Sequence, residues 1–207
     1  MAPRSRAETM MENRQLLLVA ARKAFAEKGF VAASMDDLTA EAGLTRGALY
    51  HNFGDKKGLL AAVVAQIDGE MAARAKEAAS VKADPWDALI TEATTYIEMA
   101  LEPEVQRIVL LDGPAFLGDP SQWPSQNACL DVTRKTVEVL IAEGVLKSVD
   151  VDAAARLLSG AALNAALWVA ASDNPASALK KAVDVFQHLA SGLLADKRIQ
   201  SPNIIAQ

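Results

Sequence analysis

The chain has 207 residues, enough for one large domain or for a small domain joined to a larger one. Its 51% hydrophobic and 23% charged residues exclude wholesale disorder, and its single cysteine, Cys129, excludes an internal disulfide or a cysteine-based zinc site. The net charge of −5 argues against a protein that coats nucleic acid indiscriminately. That average hides an asymmetry. Residues 1–60 carry nine Lys/Arg against seven Asp/Glu, so the acidic excess falls wholly on the remainder, and the two parts of the chain are expected to do different jobs. The first twelve residues, MAPRSRAETMME, lack the apolar stretch of an export signal. Gly160–Ala171, the most apolar stretch, is short for a membrane span and reads as a buried helix. The expected compartment is the cytoplasm.

Abundant alanine with only 11 Gly and 8 Pro favours helix, because Ala loses least entropy on entering one. Leu17, Ala20, Ala21, Ala24 and Phe25 repeat at helical spacing and predict a first helix from Arg14 to Lys28, with Asn13 as N-cap and Gly29 as stop. Arg4, Arg6 and Arg14 form a candidate flexible basic arm. Ser34, followed by Asp37, opens a short second helix that ends at Gly43. Thr45 caps a third, Arg46 to about Asn52. Asp55 caps a fourth, which begins at Lys56 and runs into the 70s. Asp84-Pro85 restarts helix, with Pro at its first position. Glu102-Pro103 interrupts, and a short apolar helix carries Val105, Ile108, Val109 and Leu111 as far as Asp112. The proline- and glycine-broken stretch to Trp123-Pro124 is the least regular. Helix resumes from about Ser125 to Glu143. Two long helices follow, capped by Asp150 and begun at Asn174-Pro175. The tail, 200–207, reads as frayed. No strand alternation of useful length appears, so the fold class is all-α with about nine helices.

Ser34 to Leu60 is the informative segment. Leu38, Ala42, Leu44 and Leu49 are spaced to pack two short helices at a steep angle, and Gly43 sits where a tight turn wants positive φ. Such a helix-turn-helix lays its second helix in the DNA major groove. The run SMDDLTAEAGLTRGALYHNFGDKKGLL from Ser34 to Leu60, preceded by Phe25, Gly29 and Phe30, resembles the DNA-binding domain of the tetracycline-repressor (TetR) family of bacterial transcriptional regulators. The resemblance covers about Asn13 to Leu60. It implies groove or phosphate contacts for Thr45, Arg46, Gly47, Ala48, Tyr50, His51 and Asn52, a phosphate contact for Lys56, and a capping and phosphate role for Ser34. Asn52 departs from the commoner His or aromatic residue there, and Ala48 lacks a hydroxyl that many members carry; both bear on which bases are read. The chemistry agrees: Arg46 is able to pair bidentately with guanine, while Lys56 and Lys57 neutralise phosphate without reading sequence.

The expected organisation is therefore a DNA-binding domain with a basic arm over 1–60 and a helical ligand-binding and dimerisation domain over 61–199. The second function is what the resemblance implies. Tyr96, Met99, Phe116, Trp123, Cys129 and Trp168 are candidate pocket liners around the irregular stretch, and their character points to an apolar or aromatic effector. For any one of them a core position is the more common role, since aromatics and Met mostly fill cores. Ala161, Ala165, Leu179, Val183, Phe186 and Leu193 are candidate dimer contacts, for which an intramolecular core is the competing explanation. The partners expected are a double-stranded DNA operator, a small-molecule effector and a second copy, with no membrane. The protein would associate with the nucleoid when bound to DNA.

No catalytic residue, cofactor or metal is expected. There is no phosphate loop, dinucleotide fingerprint or H-E-x-x-H, and the two histidines, His51 and His188, lie in the reading helix and the last helix. An all-α enzyme or a protein-binding helical adaptor are the alternatives. The adaptor leaves the basic amino-terminal part unexplained.

Overall fold

The computed structural model describes residues 5–195. Among them are nine α-helices: α1 Arg6–Ala32, α2 Met35–Glu41, α3 Arg46–Phe53, α4 Lys56–Ser80, α5 Pro85–Glu98, α6 Gly113–Leu117, α7 Pro124–Ala142, α8 Val151–Ala171 and α9 Pro175–Ser191. Short 3-10 turns occupy Met99–Leu101 and Pro120–Gln122, and Val105–Asp112 is a π-helical segment. The described residues contain no strand, only an isolated antiparallel bridge between Leu146 and Leu194.

Local capping sets most helix starts. Ser34 Oγ accepts from the Asp37 N–H at 3.0 Å, and Thr45 Oγ1 accepts from the Ala48 N–H at 3.2 Å. Asp84, Asp150 and Asn174 cap α5, α8 and α9 in the same way, each satisfying a first-turn N–H that the helix itself cannot. Asp37 does not close a reciprocal box with Ser34; its shorter carboxylate lies 3.9 Å from Lys28 Nζ. The start of α1 differs from expectation by eight residues. Ser5 and Glu8 form a full capping box, Ser5 N–H donating to Glu8 at 2.7 Å and Glu8 N–H to Ser5 Oγ at 3.2 Å. Arg6 and Arg14 are therefore helical and not part of a flexible arm; Arg4 and the tail 200–207 lie outside the described residues. The backbone leaves helical geometry at Gly29, with φ +78°, where the sequence placed the stop.

The chain divides into two compact units, and the division differs from a cut at residue 60. The first holds residues 1–69 together with 102–120. In it α1, α2 and α3 pack around Leu17, Ala21, Phe25, Leu38 and Leu49, all buried, with Leu59, Leu60 and Val63 of α4 also buried. The π-helical segment belongs here because it packs on α1. Arg22 donates from Nε and Nη2 to the two Glu104 carboxylate oxygens, each at 2.7 Å. The Phe30 N–H donates to Asp112 at 2.8 Å, and Arg107 donates to the Lys28 carbonyl at 3.1 Å. The Phe116 ring lies 4.5 Å from that of Phe30. The wider π turn shifts the segment's buried face, so Leu110 is buried and Leu111, expected inside, is exposed.

The second unit holds 70–101 and 121 onward. Its core joins Trp86 and Leu89 of α5, Val137 and Leu140 of α7, Leu146 of the connection that follows, Ala154, Ala155 and Leu158 of α8, and Ala190 of α9. Helix α8 is long and apolar enough to cross a membrane by length and composition, but it packs against α5, α7 and α9 as the central helix of this unit.

Candidate nucleic-acid interface

Helix α3 is eight residues long and is held by a single fully buried side chain, Leu49. Ala48, Asn52 and Phe53 are half-buried beside it. Thr45, Arg46, Gly47, Tyr50 and His51 are exposed, and Arg46 and Tyr50 lie one turn apart on one stripe. The turn before α3 is tight: Leu44 N–H donates to the Thr39 carbonyl at 2.8 Å, and Gly43 takes φ +65°, which a residue with a Cβ avoids. A short helix with one anchored face and its polar and aromatic side chains projecting is shaped to enter a groove.

The structure separates the other candidates. Ala48 and Asn52 are half-buried, and the Asn52 amide donates back to the Ala48 carbonyl at 2.8 Å, so Asn52 is turned onto its own helix. Ser34 is exposed at the start of α2 while it caps. Lys56 folds over the Phe30 ring at 4.5 Å and reaches the Val31 carbonyl at 3.4 Å; partial burial pushes its ammonium pKa down. Arg14 lies over the Phe53 ring at 4.4 Å and donates to the Asn52 carbonyl at 3.1 Å, which staples α1 to the end of α3.

One contact at this surface escaped the sequence reading. Arg46 is bound side-on by Asp36 of α2, the carboxylate accepting from both Nε and Nη2. The guanidinium beside it holds the Asp36 carboxyl below the usual carboxylate range. The pairing could be suspected from an acid in the first turn of α2 and an arginine opening α3, but their meeting depends on the turn geometry.

The second unit distributes the remaining candidates differently from expectation. Trp123 and Met99, the latter at 2% exposure, are buried there, Tyr96 and Cys129 are half-buried, and Gln126 Nε2 lies 3.4 Å from the Tyr96 hydroxyl. Phe116 is not among them, since it packs on Phe30 in the first unit. Trp168 is half-exposed on α8, away from any enclosed lining role. Of the proposed dimer contacts, Phe186 is buried in its own chain and Leu193 packs on the unit's core, while Ala161, Ala165, Leu179 and Val183 are partly exposed. The side chains that do project are Leu157 and Trp168 of α8 and Val185 and Leu189 of α9, with Leu157 74% and Leu189 67% exposed. An i, i+3, i+4 apolar pattern cannot tell an inward stripe from an outward one on helices that are apolar nearly all round.

Comparison with known proteins places this geometry. Residues 17–63 match the family model described as bacterial regulatory proteins of the tetR family, and residues 86–193 match that of the tetracyclin repressor-like C-terminal domain. The crystal structure of a TetR-family transcriptional regulator from Pectobacterium atrosepticum is 48% identical, with a TM-score of 0.84 over 92% of this chain and 98% of that one. The transcriptional repressor AcnR of Corynebacterium efficiens is 28% identical over 121 residues, a match covering 58% of this chain and 61% of that relative. The crystal structure of RolR in complex with resorcinol shares the fold at 16% identity and a TM-score of 0.68, covering 94% of this chain and 93% of that one. With both its amino-terminal helices and its helical body matched, the chain belongs to the TetR family of bacterial regulators, and its function is DNA-binding control of transcription, not catalysis.

Proposed function

We propose that the protein is a homodimeric repressor, whose two α3 helices read a palindromic operator and which a small apolar or aromatic effector releases. The observation that carries the DNA reading is the exposed Arg46–Tyr50–His51 surface on a helix whose opposite side is anchored by buried Leu49. Arg46 and Tyr50 face base edges; Thr45, Ser34 and Lys56 serve phosphates, Lys56 after leaving the Phe30 ring. A two-fold pair presents two such helices to half-sites about one turn of DNA, roughly 34 Å, apart. The exposed apolar side chains of α8 and α9 supply the face for the second copy, in a four-helix packing with Ala161 and Ala165.

Repression follows the named role of AcnR. The effector reading rests on the buried Met99 and Trp123, on the half-buried Tyr96 and Cys129, and on one polar signal: the buried Trp123 indole N–H has no acceptor among the described residues. An oxygen on a small aromatic or apolar molecule would satisfy it. RolR's ligand, resorcinol, is of that size and character. Helix α4 runs without a break from residues of the first unit into the second, so it is the element to transmit effector binding as a shift between DNA-competent and incompetent spacings. Such a regulator works in the compartment that holds the chromosome, the cytoplasm.

The test is selection of duplexes from a random pool, followed by anisotropy titrations with Arg46→Ala, Tyr50→Ala and Leu189→Glu. A recovered palindrome, lost specific binding in the first two variants and a monomer in the third by light scattering are expected. Selection of no preferred sequence, or a palindrome bound equally well by Arg46→Ala and Tyr50→Ala, overturns the reading.

A further inference from the structure

The pairing of Asp36 with Arg46 is a specific geometry, not a generic surface contact. An arginine has five N–H donors in a planar fork. Asp36 engages the side edge, Nε and Nη2, and leaves the end edge, both Nη1 hydrogens and the second on Nη2, uncommitted. That end edge matches the O6 and N7 acceptors which guanine shows in the major groove. A lone arginine on the first position of a helix samples many rotamers and must be immobilised on binding. With its side edge held by Asp36, part of that ordering is in place before DNA arrives.

We propose that Asp36 is a specificity-determining positioning residue, a buttress in α2 that aims the end edge of Arg46 at a guanine in each operator half-site. The inference rests on the reading of α3 as the recognition helix. It adds a residue that touches no base. Asp36 also sets a penalty against wrong sequences. Where no guanine accepts the presented edge, the carboxylate still sits near the DNA and repels its phosphates, so nonspecific binding is suppressed. Neighbouring Asp37 contributes the same charge from the same turn but faces Lys28, and so has no part in aiming Arg46.

The experiment uses the full-length protein and duplexes recovered by the wild type from a random pool, each compared with the same duplex carrying the guanine replaced by adenine. Asp36→Ala is expected to lower the preference for guanine about three- to tenfold, while affinity for random-sequence duplex holds or rises. Asp36→Asn, which keeps one acceptor, falls between it and the wild type. Asp37→Ala leaves the preference intact, and Arg46→Ala abolishes it. If Asp36→Ala keeps the wild-type preference while Arg46→Ala loses it, the buttress is overturned and the recognition helix stands. If Asp37→Ala lowers the preference as much as Asp36→Ala, the effect is bulk charge and the buttress is again overturned. If Arg46→Ala selects the wild-type motif, the recognition reading itself fails.

Discussion

Two glycines of α4 make opposite predictions for one substitution. A Cβ built on Gly58 would lie 1.9 Å from the Phe53 carbonyl oxygen and 3.1 Å from its carbon. A normal carbon–oxygen contact is about 3.3–3.6 Å, and the obstructing atom is backbone, which has no rotamer to escape into. Gly58→Ala must therefore open the junction between α3 and α4 by more than about 1 Å and strain the Asp55 cap, which accepts the Gly58 N–H at 2.7 Å. Overpacking of this kind costs about 2–3 kcal/mol, and the helix-propensity gain of Ala over Gly returns at most about 1 kcal/mol. Gly69, eleven residues further along the same helix, meets nothing within 4 Å, so Gly69→Ala gains about 0.5–1 kcal/mol from the reduced freedom of its unfolded chain. The two variants should differ by about 2–3 kcal/mol, or about 5–10 °C in Tm for a chain of this length. Thermal melts by circular dichroism measure the gap. Gly58→Ala should also bind operator more weakly, because the carbonyl it displaces ends α3, the helix proposed to read DNA. Equal Tm values for the two variants, with equal DNA affinity, would refute the close approach and the positional control of α3 drawn from it.

Other consequences are local. Asp112→Ala removes the acceptor of the buried Phe30 N–H and leaves that donor unpaired, at a cost of about 1–3 kcal/mol; amide exchange at Phe30 should accelerate, Asp112→Asn should restore part of the protection, and unchanged exchange would show that the 102–120 segment is not fastened there. Glu92 is half-buried, and desolvation raises its pKa above the usual glutamate range while Lys76 pulls it back. A raised carboxyl favours the fold when protonated, and its contribution is lost as pH rises through the folded-state value. Glu92→Gln should therefore exceed the wild type in urea stability at pH 7 and converge with it in acid, below the pKa of an unfolded glutamate; a pH-independent difference would contradict the assignment.

Much of the fold is legible in the sequence because its determinants are short-range. The caps at Ser34, Thr45, Asp84, Asp150 and Asn174 act within three residues of the N–H groups they satisfy, so their spacing alone locates the helices. The Ser5–Glu8 box was equally present in the sequence and moves the start of α1 back to Arg6. Helix α3 was legible for the same reason: its cap, the turn glycine before it and its one buried leucine fall within a few residues of each other. Tertiary structure alone decided what joins residues far apart. Arg22 meets Glu104 and Phe30 meets Asp112 across 82 positions, which moves 102–120 into the first unit. Only packing turned Phe186 inward and Leu189 outward on the same helix. Only the turn geometry brought Asp36 to Arg46, with the two charges otherwise free to read as separate solvated groups. Local hydrogen bonds carry their partners in the adjacent sequence, whereas the direction a side chain faces in a nearly all-apolar helix bundle is settled by whichever neighbour covers it.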